Sequence, residues 1–379
     1  MMRAIEMQIA PYLLFLFCLF GFFFLWRIPF PKKKDKLLLN PSDVSIIIPA
    51  RNEEKNLQRL LTSLKDQTRS PGEIIVVDDH SDDSTAKVGE TAGATVVRSE
   101  NIPEGWTGKP WACWQGAHKA KGNIFIFLDA DTFLEKDGLL KTLSTFEERG
   151  GLFSVQPYHR MERLYERLSA VFNIITMMGM NTFTPFGSKV KPIGAFGPCM
   201  VCSRQDYFAV GGHEKARGEI LESISLGKEF LKTGREVRCY GGRGTISFRM
   251  YPEGLRSLVE GFSKGFGTGA SATSLVGLVM MVCWITGGLA ITRHLLQAVF
   301  WTDPTALGVW IMLNALYILQ MHWMLRRIGN YGLYTPLFFQ IPLLFFVVLF
   351  FSSLLRIFVI RRVRWKGRRV KTGEGDKNQ

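Results

Sequence analysis

The chain of 379 residues contains only six cysteines, Cys18, Cys113, Cys199, Cys202, Cys239 and Cys283, and they are scattered. No disulfide framework can be read from such spacing, which points to a reducing cytosol. Cys199-Met-Val-Cys202 has the C-x-x-C spacing, but no second cysteine pair or histidine pair completes four zinc ligands and no thioredoxin-like helix start surrounds it. The pair therefore reads as two buried free thiols. Charge is also scarce. Charged residues make up 21% of the chain against 47% hydrophobic, too apolar for an ordinary soluble protein of this length, and incompatible with intrinsic disorder. Acidic residues are outnumbered 33 to 47 by Lys and Arg, a net charge of +14. In a soluble domain that excess would suggest nucleic acid. Here it flanks apolar runs: Lys32, Lys33, Lys34 and Lys36 follow the first, and Arg356, Arg361, Arg362, Arg364, Lys366, Arg368, Arg369 and Lys371 follow the last. The expected partner is an anionic membrane surface and not a nucleic acid.

What is abundant is aromatic and aliphatic sequence in long stretches. Residues 8–26 are uncharged and about as long as a bilayer core requires. No small-residue cleavage site follows them, so a retained anchor is expected, with residue 32 onward in the cytoplasm. Residues 43 to about 260 alternate short β-branched runs with amphipathic stretches, the pattern of an α/β sheet. Strands are predicted at 44–48, 73–77, 95–97 and 123–128, and a helix over 53–67 with Leu57, Leu60, Leu61 and Leu64 on one face. Three apolar stretches close the chain, at about 272–292, 304–325 and 335–355. Three crossings would carry the basic tail outside, against the positive-inside rule, so one stretch should be re-entrant or interfacial; 335–355, with Pro336 and Pro342, is the first candidate. The expected organisation is an anchor over 1–31, a cytoplasmic catalytic domain over 32–270, a membrane region over 271–356 and a basic cytoplasmic tail over 357–379.

The chemistry concentrates where strands end. Pro49-Ala-Arg-Asn-Glu53, Asp78-Asp79-His-Ser-Asp82-Asp83 and Asp129-Ala-Asp131 each follow a predicted strand, and open α/β sheets bind ligands beyond their carboxyl ends. Carboxylates converging on one edge repel unless cations join them. Asp-x-Asp offers hard oxygen ligands to Mg²⁺ or Mn²⁺, ions that commonly bridge a diphosphate.

These strings, with Gly105-Trp-Thr-Gly-Lys109, resemble in order and spacing the motifs of family 2 glycosyltransferases with the GT-A fold. Ser154-Val-Gln-Pro-Tyr-His159, Ala195-Phe-Gly-Pro198, Gly211-Gly-His213 and Phe248-Arg-Met-Tyr251 resemble more closely those members that act on carotenoid acids. The resemblance implies a Rossmann-like α/β mixed-sheet GT-A domain held by N-terminal and C-terminal transmembrane helices. It implies that Pro49, Arg51 and Glu53 line a nucleotide, that Asp79 accepts the uracil N–H, and that Lys109 approaches the base or diphosphate. Asp129 would face the ribose and Asp131 would hold the metal, so that Lys109 and the metal meet the charge developing on the leaving diphosphate.

The acceptor end departs from that pattern. After Gly-Gly-x the family carries an acidic pair whose Asp is the general base, whereas here the chain reads Glu222-Ser223. Either Glu222 serves as base from a shifted position, or the acceptor is a carboxylate that needs none. The processive Gln-x-x-Arg-Trp string is absent, so a single sugar is expected to move. Arg249 and Lys264 are candidate contacts to the acceptor carboxylate or the diphosphate, and His213, like His159, a candidate for orienting the acceptor. The expected reaction moves one hexose, glucose, from a UDP-sugar to a carotenoid acid in a multi-pass protein of the cell membrane. The alternatives are a hydroxyl-directed lipid glucosyltransferase and a non-catalytic nucleotide-sugar-binding scaffold.

Overall fold

The computed structural model describes residues 2–34, 37–219, 221–300, 304–355, 362–365 and 368–371. Its centre is a seven-stranded mixed sheet in the order β3 (Thr95–Arg98), β2 (Glu73–Asp78), β1 (Val44–Ala50), β4 (Ile124–Leu128), β8 (Cys199–Ser203), β6 (Leu152–Gln156), β9 (Val237–Gly241). The first four strands are parallel; β8 runs antiparallel to both β4 and β6. A small second sheet joins β5 (Thr132–Leu134), β10 (Ile246–Phe248) and β7 (Tyr158–His159).

Both faces of the large sheet are covered, which is why β1 reads as a continuous apolar run. Successive side chains alternate between faces. Ile46 and Ile48 join Leu57, Leu60, Leu61 and Leu64 of α2 (Glu54–Lys65), and α5 (Gly138–Glu147) adds Leu139 and Leu143 to that face. Ile47 turns to the other face, with Cys113 and Ala117 of α4 (Gly108–Lys119) and Leu226 and Phe230 of α8 (Glu222–Lys232). Cys199 and Cys202 fall on opposite faces and are free, so the C-x-x-C spacing has no joint role. Short helices α3 (Thr85–Thr91) and α7 (Arg204–Ala209) follow β2 and β8.

A helical bundle adjoins the sheet domain. It comprises α1 (Met2–Phe24), α6 (Ala170–Gly179), α9 (Leu255–Ala272), α10 (Leu275–Phe300), α11 (Pro304–Ile328), α12 (Tyr334–Leu337) and α13 (Gln340–Leu355). Among the described residues, α10 and the segment Ala306–Ile328 are long and apolar enough to cross a membrane, while the apolar part of α1, Ile9–Phe24, and α13 are shorter. Leu275, Val279, Leu296, Ile311, Leu319 and Val348 are each more than half exposed, an apolar surface that water-soluble proteins rarely present. Inside the bundle, Trp284 Nε1 donates to Gln320 Oε1 (2.8 Å) and Gln320 Nε2 donates to the Cys18 carbonyl (2.7 Å). Gly21 permits that approach, because a Cβ there would lie 2.6 Å from both Trp284 and Met324.

The last apolar stretch is not one helix. Phe338 and Phe339 separate α12 from α13, and Pro336 and Pro342 each sit in a first turn, where a missing N–H is tolerated. The described part of α13 has 16 residues, about 24 Å of helix. The path of residues 331–353 begins beside α6, where Asn173 Nδ2 donates to Tyr331 OH, and descends until Phe339 stacks on Tyr317 in mid-α11 at 5.2 Å. It returns to Ser353, whose hydroxyl donates to the Ser263 carbonyl of α9 (2.9 Å). The end of α11 also meets the domain: Asn330 N donates to the His159 carbonyl (3.0 Å).

Candidate active site

Two strand-end motifs interlock. Because β1 and β2 are parallel in register, with Ala50 opposite Asp78, their following loops lie side by side. Arg51 donates to the Asp79 carbonyl (2.9 Å) and lies 3.7 Å from its carboxylate. Asn52 N donates to Ser81 Oγ (2.9 Å), Asp82 N to Asn52 Oδ1 (2.8 Å), and Glu53 N to Thr85 Oγ1 (2.8 Å). Asn52 and His80 take positive φ at 53° and 55°, conformations that short polar side chains and histidine adopt more readily than most. Burial opposes ionisation of Asp83, but hydrogen bonds from the Thr85 side chain and backbone and the Glu54 N–H prevail and hold its carboxyl below the ordinary range.

Pro49, Arg51, Glu53, Asp79, Lys109, Asp129 and Asp131 all border one cavity of about 280 Å³, with Ala50, Gly108, Ala112 and Ala130. The small residues were not singled out from sequence, although Ala50, Gly108 and Ala130 stand inside the quoted motifs. Lys109, at the start of α4, lies 2.7 Å from Asp129 and 3.1 Å from Glu222. Burial alone would lower its pKa, but these two carboxylates outweigh it and hold the ammonium above the usual lysine range. Asp131 is pushed up to about 7, first by burial and then by Asp129 and Glu53.

That crowding bears on a metal. Among the described residues no three His, Cys, Asp or Glu side chains gather into a cage. Asp131 is nevertheless a carboxylate beside two others, while Lys109 is already engaged by Asp129 and Glu222. Asp131 would be the residue to hold a Mg²⁺ or Mn²⁺, and its crowded carboxylate fits such an ion.

A second cavity, of about 520 Å³ and largely apolar, begins where the first ends. Gln156, Gly197, Pro198 and Ser223 border it at the sheet. A Cβ on Gly197 would lie 3.3 Å from both Lys109 Nζ and Ser223 Oγ, so the two cavities meet across these three residues. From there it runs between α6, α10 and α13. Glu222 borders neither cavity directly and touches the first through Lys109.

The remaining sequence candidates stand elsewhere. Arg249 pairs with Glu162 (2.6 Å) and buried Glu166 (2.7 Å) and borders neither cavity. His213 is fully buried. Its N–H donates to Tyr207 OH (3.2 Å), and the hydroxyl meets Nδ1 at 2.9 Å. Burial pushes it down to about 4, and burial likewise pushes His159 down to about 3, so both are neutral at cytoplasmic pH. Lys264 lies on α9, and its side chain is outside the described residues.

A mixed sheet with a cavity beyond the carboxyl ends of β1, β2 and β4, bordered by a lysine and an Asp-x-Asp pair, has the form of a GT-A-type glycosyltransferase domain. Residues 45–208 match the family model described as Glycosyl transferase family 2. Over 340 residues the chain is 36% identical to the protein named 4,4'-diaponeurosporenoate glycosyltransferase of Staphylococcus aureus strain USA300, covering 89% of this chain and 90% of that one. The protein of the same name from strain MRSA252 matches with the same identity and coverage. Among solved structures, the mannosyltransferase PcManGT of Pyrobaculum calidifontis, in complex with GDP-Man and Mn²⁺, has the same fold, with a TM-score of 0.54 at 14% identity over 94% of this chain and 98% of that one. The chain belongs to glycosyl transferase family 2, and it is a glycosyltransferase.

Proposed function

We propose that this glycosyltransferase moves a single glucose from a UDP-sugar to the carboxylate of a carotenoid acid of the 4,4'-diaponeurosporenoate type, forming a glycosyl ester with inversion. The observation that carries the reading is neutral Ser223 in the wall of an apolar cavity, where that cavity meets Lys109. The name and 36% identity of the Staphylococcus aureus relative support the same acceptor.

In this reading Pro49, Arg51 and Glu53 line the nucleotide, Asp79 accepts the uracil N3–H, and Asp129 faces the ribose. Lys109, held by Asp129 and Glu222, turns its third N–H to the diphosphate. Asp131 would hold a Mg²⁺ or Mn²⁺, which supplies positive charge to the departing diphosphate. The acceptor oxygen bonds to the anomeric carbon as the bond from that carbon to the phosphate oxygen breaks, and the electron pair leaves with UDP. No proton moves, because a carboxylic acid of ordinary pKa, about 4.3 for a Glu side chain, is already ionised at cytoplasmic pH. A base is therefore unnecessary, and Glu222, held by Lys109, is free to act as a positioning residue.

In this reading the protein is a multi-pass chain of the cell membrane, with its active site at the cytoplasmic face. The basic clusters after α1 and after α13 support that orientation, and the descent and return of residues 331–353 supports a re-entrant last segment. Radiolabelled UDP-glucose with membranes and either the carotenoid acid or its alcohol tests the acceptor. An alkali-labile ester formed from the acid is expected; an alkali-stable glycoside formed only from the alcohol would refute the reading.

A further inference from the structure

We propose that the apolar cavity is a laterally open channel for one rigid hydrocarbon chain, entered from within the bilayer between α10 and α13 and ending at Ser223. The proposal rests on the acceptor reading above and adds how that acceptor arrives. Four features of the cavity carry it.

The first is shape. Leu278, Val282, Ile285 and Leu289 border the cavity along one side of α10, at helical spacing over about 16 Å of helix. The space is therefore elongated along a membrane-length helix. The second is its opening. Val282 on α10 is 52% exposed and Phe351 on α13 is 60% exposed, yet both border the cavity, whose deeper walls include Met281 and Phe346 at 4% each. A wall residue that also faces outward marks a rim, and this rim lies on the flank of the bundle among exposed Val279 and Val348. An apolar chain already dissolved in lipid crosses such a rim without passing through water.

The third feature is polarity. Gln156 and Ser223 stand at the end that meets Lys109, whereas the walls from the membrane helices are apolar apart from the hydroxyls of Thr176, Thr273 and Thr286. An amphiphile is thereby oriented head inward, with its carboxylate at the junction of the two cavities. The fourth is economy of order. A conjugated polyene has few rotors to immobilise, whereas each flexible chain confined in a narrow slot loses freedom on binding. The channel thus favours one stiff chain over the two flexible chains of a diacyl lipid.

Gly179 provides the test. It borders the channel at the last turn of α6, and a Cβ there would meet only Thr273 Oγ1, at an ordinary 3.6 Å. Larger side chains therefore fill the channel without striking backbone, and they improve helix propensity. In the full-length protein in lipid nanodiscs, with 4,4'-diaponeurosporenoate and UDP-glucose, the series Gly179→Ala, Gly179→Leu and Gly179→Phe should raise the KM for the acid progressively. The largest should cost about ten-fold or more, as overfilled cavities do, while the KM for UDP-glucose holds. Val282→Trp at the rim should give the same split. Leu319→Trp, equally bulky but on α11 outside the channel, should match the wild type. Acid KM values independent of side-chain size across both sites would overturn the channel even though ester forms. A wild type that glycosylates diacylglycerol and not the acid would instead overturn the acceptor reading, before any variant is made.

Discussion

Glu222 Oε1 lies 3.1 Å from Lys109 Nζ, whereas the next residue, Ser223, borders the apolar cavity. Consecutive residues on the first turn of α8 point about 100° apart, so one helix start serves both cavities. The carboxylate that sequence alignment offers as a shifted base is spent on the lysine, and the position that would hold the base carries a hydroxyl.

Glu222→Gln therefore separates two roles. A residue that only holds Lys109 in place should cost about ten-fold or less in kcat on the acid, with the larger effect on the KM for UDP-glucose. Loss of a general base would cost roughly 10²- to 10⁴-fold in kcat. Steady-state kinetics on the acid across pH 6–8 would decide, and a loss in the larger range with a changed pH profile would restore Glu222 as base.

Ser223→Asp places a negative charge at the junction the acceptor carboxylate must reach. Two like charges about 5 Å apart cost about 3 kcal/mol at an effective dielectric of 20, roughly a hundred-fold in rate. Ester formation should fall by that order, while Ser223→Ala, which adds no charge, should stay within about ten-fold of the wild type, the price of one hydrogen bond. Equal losses in the two variants would mean that charge at this position is irrelevant.

The donor half of this site was legible in the chain because each element announces itself locally. An apolar run ending in Arg51-Asn52-Glu53, Asp78-Asp79 or Asp129-Ala-Asp131 is both a strand and a site, and parallel pairing brings the ends together. The acceptor half was legible only in part. Gln156, Gly197 and Ser223 stand in strings that the sequence singles out, but Gly179, Val282 and Phe351 are unremarkable in their own segments and join them only by tertiary packing. Arg249 misled for a related reason: its partner Glu166 is 83 residues away, so a free cation in the sequence is a satisfied ion pair in the fold. The broken helix over 335–355 was signalled by its prolines, but its descent and return depend on where Phe339 finds Tyr317.

Asp131 ties stability to the metal. Its folded pKa of about 7 lies above the ordinary value of about 3.9, so the folded state favours the protonated form. That contribution is complete below pH ~4 and is lost as pH rises towards ~7. In chelator, Asp131→Asn should therefore melt a few degrees above the wild type at pH 8 and level with it near pH 4. Adding Mn²⁺ at pH 8 should raise the wild-type midpoint and leave the variant unmoved, while the variant loses transfer. Thermal melts in detergent, read by intrinsic tryptophan fluorescence, check all three. A variant that melts below the wild type at pH 8 without metal would show that Asp131 is not under electrostatic strain.

The path of the last segment predicts the side of the membrane on which the chain ends. Residues 275–328 leave the domain and return to it, since α10 follows α9 directly and Asn330 binds the His159 carbonyl. Residues 331–353 descend only to the level of Tyr317 and Gly288 before Ser353 reaches Ser263. A full crossing by α13 would break the return contact between Ser353 and the Ser263 carbonyl. It would also carry the eight basic residues between Arg356 and Lys371 to the outer face. A protease-cleavable tag placed after Gln379 should thus be cut in inverted vesicles and protected in right-side-out ones, in step with a tag inserted in the catalytic domain at the exposed Asn101 loop. Opposite protection of the two tags would mean that α13 crosses, and the positive-inside argument for the orientation of the whole chain would fail with it.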